Sequence, residues 1–401
     1  MRARLLALIL ALAAPVVVTP SASAAGCGFM GFQPCAQPPV TNPAARTPGA
    51  AVPQATQMNR AIYGTPNKIR GTVKPTKVFG VPDAGTVPVL GDVGAKADDG
   101  SYVMYETRVD ERTVDLMVWS AGLLGPAPVR IQLPPSWGKD PARKYPGLWL
   151  LHGGGDPADY QCWTVYSQLQ KRTSELEALV IMPSSGVGGH TTNYLTFGYK
   201  AGKQYQTFVS TELMQILQRG YKLGEKNAVA GASAGARSAL EVAFKNPTKF
   251  GAAAAYSGLL DTQILGIDMS ITTGPLAALQ TPYEMWGSEY LNITTWNDRN
   301  PAKNIDKLKG IKTYVSVGDG AQGPLDLNFI VDPIEAVANA STKSFVSYAQ
   351  RGGLDITADL YGHGVHQWQY FDAAFGRSLP LLLGPLGLTM QQPQPDPIRT
   401  A

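Results

Sequence analysis

The sequence predicts an α/β layer fold with a mostly parallel central sheet and helices on both faces. Three observations carry that expectation. Short apolar runs alternate with helical patterns through the middle of the chain, the order that builds strand–helix–strand crossovers rather than hairpins. The composition, 44% hydrophobic and 16% charged over 401 residues, suffices for one large domain with a substantial core. In NAVAGASAGARSALEVAF, residues 227–244, a serine stands between glycines where a short β-like run gives way to a helix-like one.

The elements follow in order. Residues 1–24 read as a signal peptide: Arg2 and Arg4, an apolar stretch from Leu5 to Val18, and small residues at Ala22-Ser23-Ala24. That stretch is short for a membrane span and no later one is longer, so an exported chain without a transmembrane span is expected. Residues 25–95 form a Pro/Ala-rich leader with no apolar periodicity, and 385–401 a loosely held tail of similar character. Between them, 96–384 is the expected catalytic domain. Strands are expected at 114–120, 129–134, 147–153, 178–183, 227–231, 251–257, 312–318 and 355–361, and helices at 206–221 and 234–246.

A net charge of +4 without a long basic run gives no case for nucleic-acid binding. Of the three cysteines, Cys27 and Cys35 are close in sequence and are the expected pair in an exported protein, which leaves Cys162 as a small buried apolar residue. Cys27 also follows small residues as a lipid-attachment cysteine would, although Ala24 stands where such signals carry a bulky aliphatic side chain; lipid at Cys27 would leave Cys35 to pair with Cys162 instead. The histidines lack the spacing of a zinc site, and no glycine-rich loop has the dinucleotide or phosphate pattern, so no cofactor or metal is expected.

Gly231-Ala232-Ser233-Ala234-Gly235 matches G-x-S-x-G, the nucleophile elbow of the α/β-hydrolase fold. A nucleophile there projects from a sharp strand-to-helix turn, and the backbone N–H of Ala234 faces any oxyanion formed at Ser233. Upstream, LWLLHGGGD ends a strand in His152-Gly153-Gly154-Gly155, and such a run supplies a second oxyanion N–H. A serine hydroxyl needs a base from later in the chain. His363 and His366 follow the last expected strand, and His366, in GHGVHQWQYF, is the choice. The acid lies between Ser233 and that histidine. Asp319, Asp332, Glu335 and Asp355 are candidates, and pattern alone favours Asp319, in VGDG after a strand.

The segments AYSGLLDTQ (255–263), EMWG (284–287), TWNDRNPAKNIDKL (295–308) and HQW (366–368), with VWSAGLLGPAPVRIQ and QTFVSTEL in matching order, resemble the secreted mycolyltransferases of the antigen 85 type, in the esterase-D-like branch of the α/β-hydrolases. The resemblance runs from about Val114 to Phe375. It implies acyl transfer from a lipid ester donor through an acyl-serine to a trehalose-type sugar acceptor, with possible cell-envelope association. Ser233 falls on the family's nucleophile, His366 on its base, and Gly154 and Ala234 on its oxyanion amides. Glu335, in NFIVDPIEAV, falls on its glutamate acid, ahead of Asp319. Trp368 falls where a family tryptophan lines the cleft; Trp163 and Trp286 read as packing residues.

Two departures bear on the acceptor. Where the family has D-G-L-R, with the Asp and Arg helping to hold trehalose, this chain has His152-Gly153-Gly154-Gly155, and YLTFGYKAGKQY replaces the cysteines the family often carries before QTFVSTEL. Three readings follow: an exported serine acyltransferase first, a carboxylesterase using the same triad second, and a non-catalytic cell-wall or matrix binding protein third.

Overall fold

The computed structural model describes residues 91–155, 157–196, 202–264, 266, 267, 271, 283–327 and 331–390. The signal peptide, Cys27, Cys35, the leader as far as residue 90 and the tail from 391 lie outside the described residues.

Nine strands form one sheet in the order β1-β2-β3-β5-β4-β6-β7-β8-β9. They are β1 (Tyr102–Arg108), β2 (Thr113–Ser120), β3 (Gly125–Gln132), β4 (Tyr145–Leu151), β5 (Leu179–Pro183), β6 (Leu223–Ala232), β7 (Phe250–Tyr256), β8 (Lys312–Gly318) and β9 (Ile356–Gly362). The first three form an antiparallel meander, and β3 also runs antiparallel to β5. From β5 onward every pairing is parallel. The expected strands are all present, several of them longer at the N-terminal end. The edge strand β1 was not expected, because YVMYETR mixes buried and half-exposed positions and carries Glu106 and Arg108.

Burial on both faces explains why the central strands read as nearly continuous apolar runs. Alternation still sorts their side chains. Trp149 and Leu151 of β4, Val229 of β6 and Ala253 and Ala255 of β7 enter one core. Leu148 and Leu150, Ala228 and Ala230, and Ala252 and Ala254 enter the other. Three long helices cover these faces: α1 (Ala234–Lys245), α2 (Pro333–Arg351) and α3 (Trp368–Leu383). Through Leu240 and Phe345, α1 and α2 pack into the first core; through Phe375 and Leu379, α3 packs into the second. The expected helix at 206–221 is present as Tyr205–Thr207, a π turn at Phe208–Leu213 and Met214–Gly220. Among the described residues no helix is long and apolar enough to cross a membrane.

The strand order reverses around β4, which has β5 on one side and β6 on the other. A crevice at the carboxyl ends of the strands is expected at such a switch point. The carboxyl end of β4 leads into His152-Gly153-Gly154-Gly155, and that of β6 into Ser233.

Candidate active site

Ser233 caps α1 with φ 57° and ψ −119°, a conformation that a non-glycine residue adopts only when its surroundings impose it. Its N–H donates to Tyr256 O at 2.9 Å and its carbonyl accepts from Ala236 N–H at 3.0 Å, which pins the turn from both sides. The flanking glycines are required by close approach. A Cβ on Gly231 would lie 2.2 Å from Gly235 O, and one on Gly235 would lie 2.5 Å from His152 O and 2.6 Å from Leu151 O. Backbone cannot yield as a flexible side chain would, so α1 enters over β4 and β6 only with glycine at both positions.

A chain of hydrogen bonds runs inward from Ser233. Its Oγ lies 2.8 Å from His366 Nε2, and His366 Nδ1 lies 2.7 Å from Glu335 Oε2. Glu335 is fully buried. Its second oxygen accepts from Gly318 N–H at 2.7 Å and Ser257 Oγ at 2.8 Å, with the Tyr361 hydroxyl at 3.4 Å. A buried carboxylate without such donors would be costly; here each oxygen has a donor. Ser257 is itself held at φ 53° at the end of β7. Asp332 ties the Glu335 and His366 segments together. One of its oxygens caps α2, accepting from Ile334 N–H at 2.9 Å and Glu335 N–H at 3.3 Å, and the other accepts His366 N–H at 2.8 Å.

Asp319, the acid that pattern alone favours, points elsewhere: its Oδ2 pairs with His363 Nδ1 at 2.8 Å on the surface. Both acids sit near the carboxyl end of β8, and the difference lies in α2. The helix begins at Pro333, so the Asp332 cap turns Glu335 inward beneath His366 while Asp319 stays in the outer turn. Asp355 pairs with Lys312 at the amino ends of β9 and β8, away from the carboxyl ends that carry Ser233 and Gly318.

The glycine run lies over the elbow. A Cβ on Gly153 would lie 3.1 Å from Ser233 Cβ, and one on Gly154 would lie 3.8 Å from Ala234 Cβ and 2.7 Å from Gly188 O. Gly155 N–H donates to Val187 O at 2.7 Å, so the run is braced by the loop containing Gly186 and Gly189. His152 faces inward and is buried. Its Nδ1–H donates to Gly153 O at 2.8 Å, and its Nε2 accepts from Ser185 N–H at 2.9 Å, with Asp159 Oδ1 also 2.9 Å away.

Trp368, at the first turn of α3, is half-buried and packs edge-on against Trp163 (5.1 Å) and Phe371 (5.7 Å). Phe371 packs in turn edge-on against the His366 ring at 5.1 Å. Trp163 and Trp286 are buried, as is Cys162. Ser257, Gly318 and Asp332 as a cap are the site residues that sequence reasoning missed. A signal for one of them was present, since Asp-Pro followed by Glu is a helix-start pattern.

The Esterase family model, described as "Putative esterase", matches residues 120–382. The diacylglycerol acyltransferase/mycolyltransferase Ag85A of Mycobacterium tuberculosis (strain ATCC 25618 / H37Rv) is 30% identical over 285 residues, covering 65% of this chain and 81% of its own. Among solved structures, Mycobacterium tuberculosis MPT51 (FbpC1) superposes with a TM-score of 0.56 at 20% identity, over 68% of this chain and 97% of its own. A ferulic acid esterase superposes with a TM-score of 0.52 at 18% identity, over 68% and 98%. The α/β-hydrolase sheet, the family match over residues 120–382 and the mycolyltransferase relatives agree: this protein belongs to the Esterase family and is an enzyme with acyltransferase or esterase activity.

Proposed function

We propose that the chain is a serine acyltransferase of the mycolyltransferase kind, moving a fatty, mycolic-type acyl group to a sugar or other hydroxyl acceptor. The observation that carries this reading is the continuous Ser233–His366–Glu335 hydrogen-bond chain, taken with the relative named for that activity. His366 Nε2 accepts the Ser233 proton as Oγ attacks the ester carbonyl, and Glu335 stabilises the imidazolium through Nδ1–H. The amides of Gly154 and Ala234 receive the oxyanion. His366 then gives its proton to the departing alkoxide, leaving an acyl-serine and a free alcohol. An acceptor hydroxyl repeats the sequence in reverse, with His366 first as base and then as acid. The N-terminal sequence supports action outside the cytoplasm, at the cell envelope.

One observation favours water as the acceptor instead. His152 stands where the family carries a sugar-binding aspartate, yet its ring is turned inward onto Gly153 O and Ser185 N, and Gly155 stands in place of the arginine. Product analysis by mass spectrometry separates the two readings, using an acylated trehalose donor with and without added trehalose and Ser233→Ala as control. Diacyl trehalose formed by the wild type alone supports transfer. Free fatty acid alone supports hydrolysis, and no turnover of this donor or of simple esters sinks both.

A further inference from the structure

Arg237 stands one turn into α1, and its side chain is only 2% exposed. Stability alone gives little reason for it there. The amino end of a helix disfavours a cation, a buried ion pair is seldom better than apolar packing, and Arg237 Nε finds no acceptor among the described residues. Its other contacts are specific. Nη1 donates to Glu241 Oε2 at 2.5 Å and Nη2 to Ser238 Oγ at 3.2 Å, while the guanidinium lies 4.6 Å from the centroid of the Trp286 ring.

The two groups that Arg237 orients both reach the loop after β5. Ser238 Oγ accepts from Thr191 N–H and Glu241 Oε1 accepts from Thr192 Oγ1, each at 3.0 Å, and all four residues are buried. Just before these ties, the same loop presses on the glycine run. Gly189, at φ 64°, comes so close that a Cβ there would lie 2.3 Å from Gly153 O and 2.5 Å from Gly154 N. Gly155 N–H donates to Val187 O. The run that carries Gly154 N–H is therefore held by the loop, and the loop is held by the helix that begins at Ala234.

We propose that Arg237 is a positioning residue for the oxyanion hole. Through Ser238 and Glu241 it fixes the loop at Thr191 and Thr192, and through Gly189 and Val187 that loop sets Gly154 N–H against Ala234 N–H. The inference rests on the reading in which those two amides receive the oxyanion. Buried as it is, Arg237 acts through these partners rather than on the substrate. Donors aimed at an oxyanion act on the transition state far more than on the bound ester, so a loosened loop lowers kcat and spares KM.

The test compares Arg237→Met and Ser238→Ala with wild type and Ser233→Ala in cleaving a soluble p-nitrophenyl ester, with active sites counted by fluorophosphonate labelling. Arg237→Met leaves Glu241 unpaired; should it not fold, Ser238→Ala, which removes the acceptor of Thr191 N–H, carries the test. A second readout is inhibition by an alkyl trifluoromethyl ketone. Ser233 Oγ adds to its carbonyl carbon, the serine proton passes to His366, and the former carbonyl oxygen becomes the oxyanion. Each variant should lower kcat per active site about tenfold or more and change KM less than about threefold. The ketone Ki should rise in proportion to the fall in kcat/KM, and the pH profile should stay in place because Ser233, His366 and Glu335 are untouched. The proposal is overturned if the folded variants melt lower yet keep kcat within about threefold of wild type, or if kcat falls with Ki unchanged. It is equally overturned if the pH profile moves, which puts the damage in the triad. Failure of the underlying reading looks different: wild-type cleavage that is absent or independent of Ser233, or a wild type that the ketone does not inhibit, sinks that reading and this inference with it.

Discussion

Replacing Glu335 by Gln tests the acid by geometry as well as charge. Glu335 Oε1 accepts from Gly318 N–H and Ser257 Oγ, while Oε2 faces His366 Nδ1. A glutamine must keep its carbonyl oxygen toward Gly318, because a backbone N–H cannot accept a hydrogen bond. Its amide NH2 then points at Nδ1 and donates to it. The imidazole is forced into the tautomer with its proton on Nε2, where it faces Ser233 Oγ and cannot take the serine proton. In another serine hydrolase the equivalent change of acid to amide lowers kcat about ten-thousandfold by imposing the wrong tautomer. A loss of about three to four orders of magnitude is expected here, or about 4–5 kcal/mol of transition-state stabilisation. The assay is kcat and KM on a soluble p-nitrophenyl ester, for Glu335→Gln and Asp319→Asn in parallel. The reasoning requires a collapse of kcat in the first and a change of less than about threefold in the second, whose target sits on His363. Retention of a tenth or more of wild-type kcat by Glu335→Gln, with collapse in Asp319→Asn, would make Asp319 the acid.

Asp332→Ala removes the cap of α2 and the acceptor of His366 N–H together. It should cost about 1–2 kcal/mol of stability, visible as a Tm lowered by a few degrees. It should also lower kcat more than it raises KM; a variant with unchanged kcat would show that Asp332 does not position the base. Burial, with Arg237 and His152 beside it, pushes His190 down to about 3 from its ordinary 6.5. The native ring stays neutral while the unfolded chain takes up a proton below about 6.5, so this contribution to stability is complete above that pH and is lost as pH falls toward 3. The slope is at most about 1.4 kcal/mol per pH unit. Denaturant titrations at pH 7 and 4.5 should show a smaller acid loss for His190→Gln than for wild type, and equal losses would rule His190 out as a source of acid sensitivity.

The sequence by itself determined the layered fold and two of the three residues in the hydrogen-bonded chain. Strands buried on both faces must be apolar almost throughout, so they were visible without context. The elbow was visible because its geometry admits only glycine on either side of Ser233: Gly231 and Gly235 record contacts with backbone that no other residue survives. His366 followed because a serine nucleophile needs a base placed after the last strand. The acid was different. Asp319 and Glu335 both follow β8, and nothing local in either says which reaches the imidazole; residue pattern favoured the former and family resemblance the latter. Only the tertiary structure decided between them, through the start of α2 at Pro333, the Asp332 cap and the donors of Gly318 and Ser257 waiting under His366. Those partners come from different strands, and a carboxylate chooses its place by the donors it finds when the strands come together, which a linear pattern does not contain.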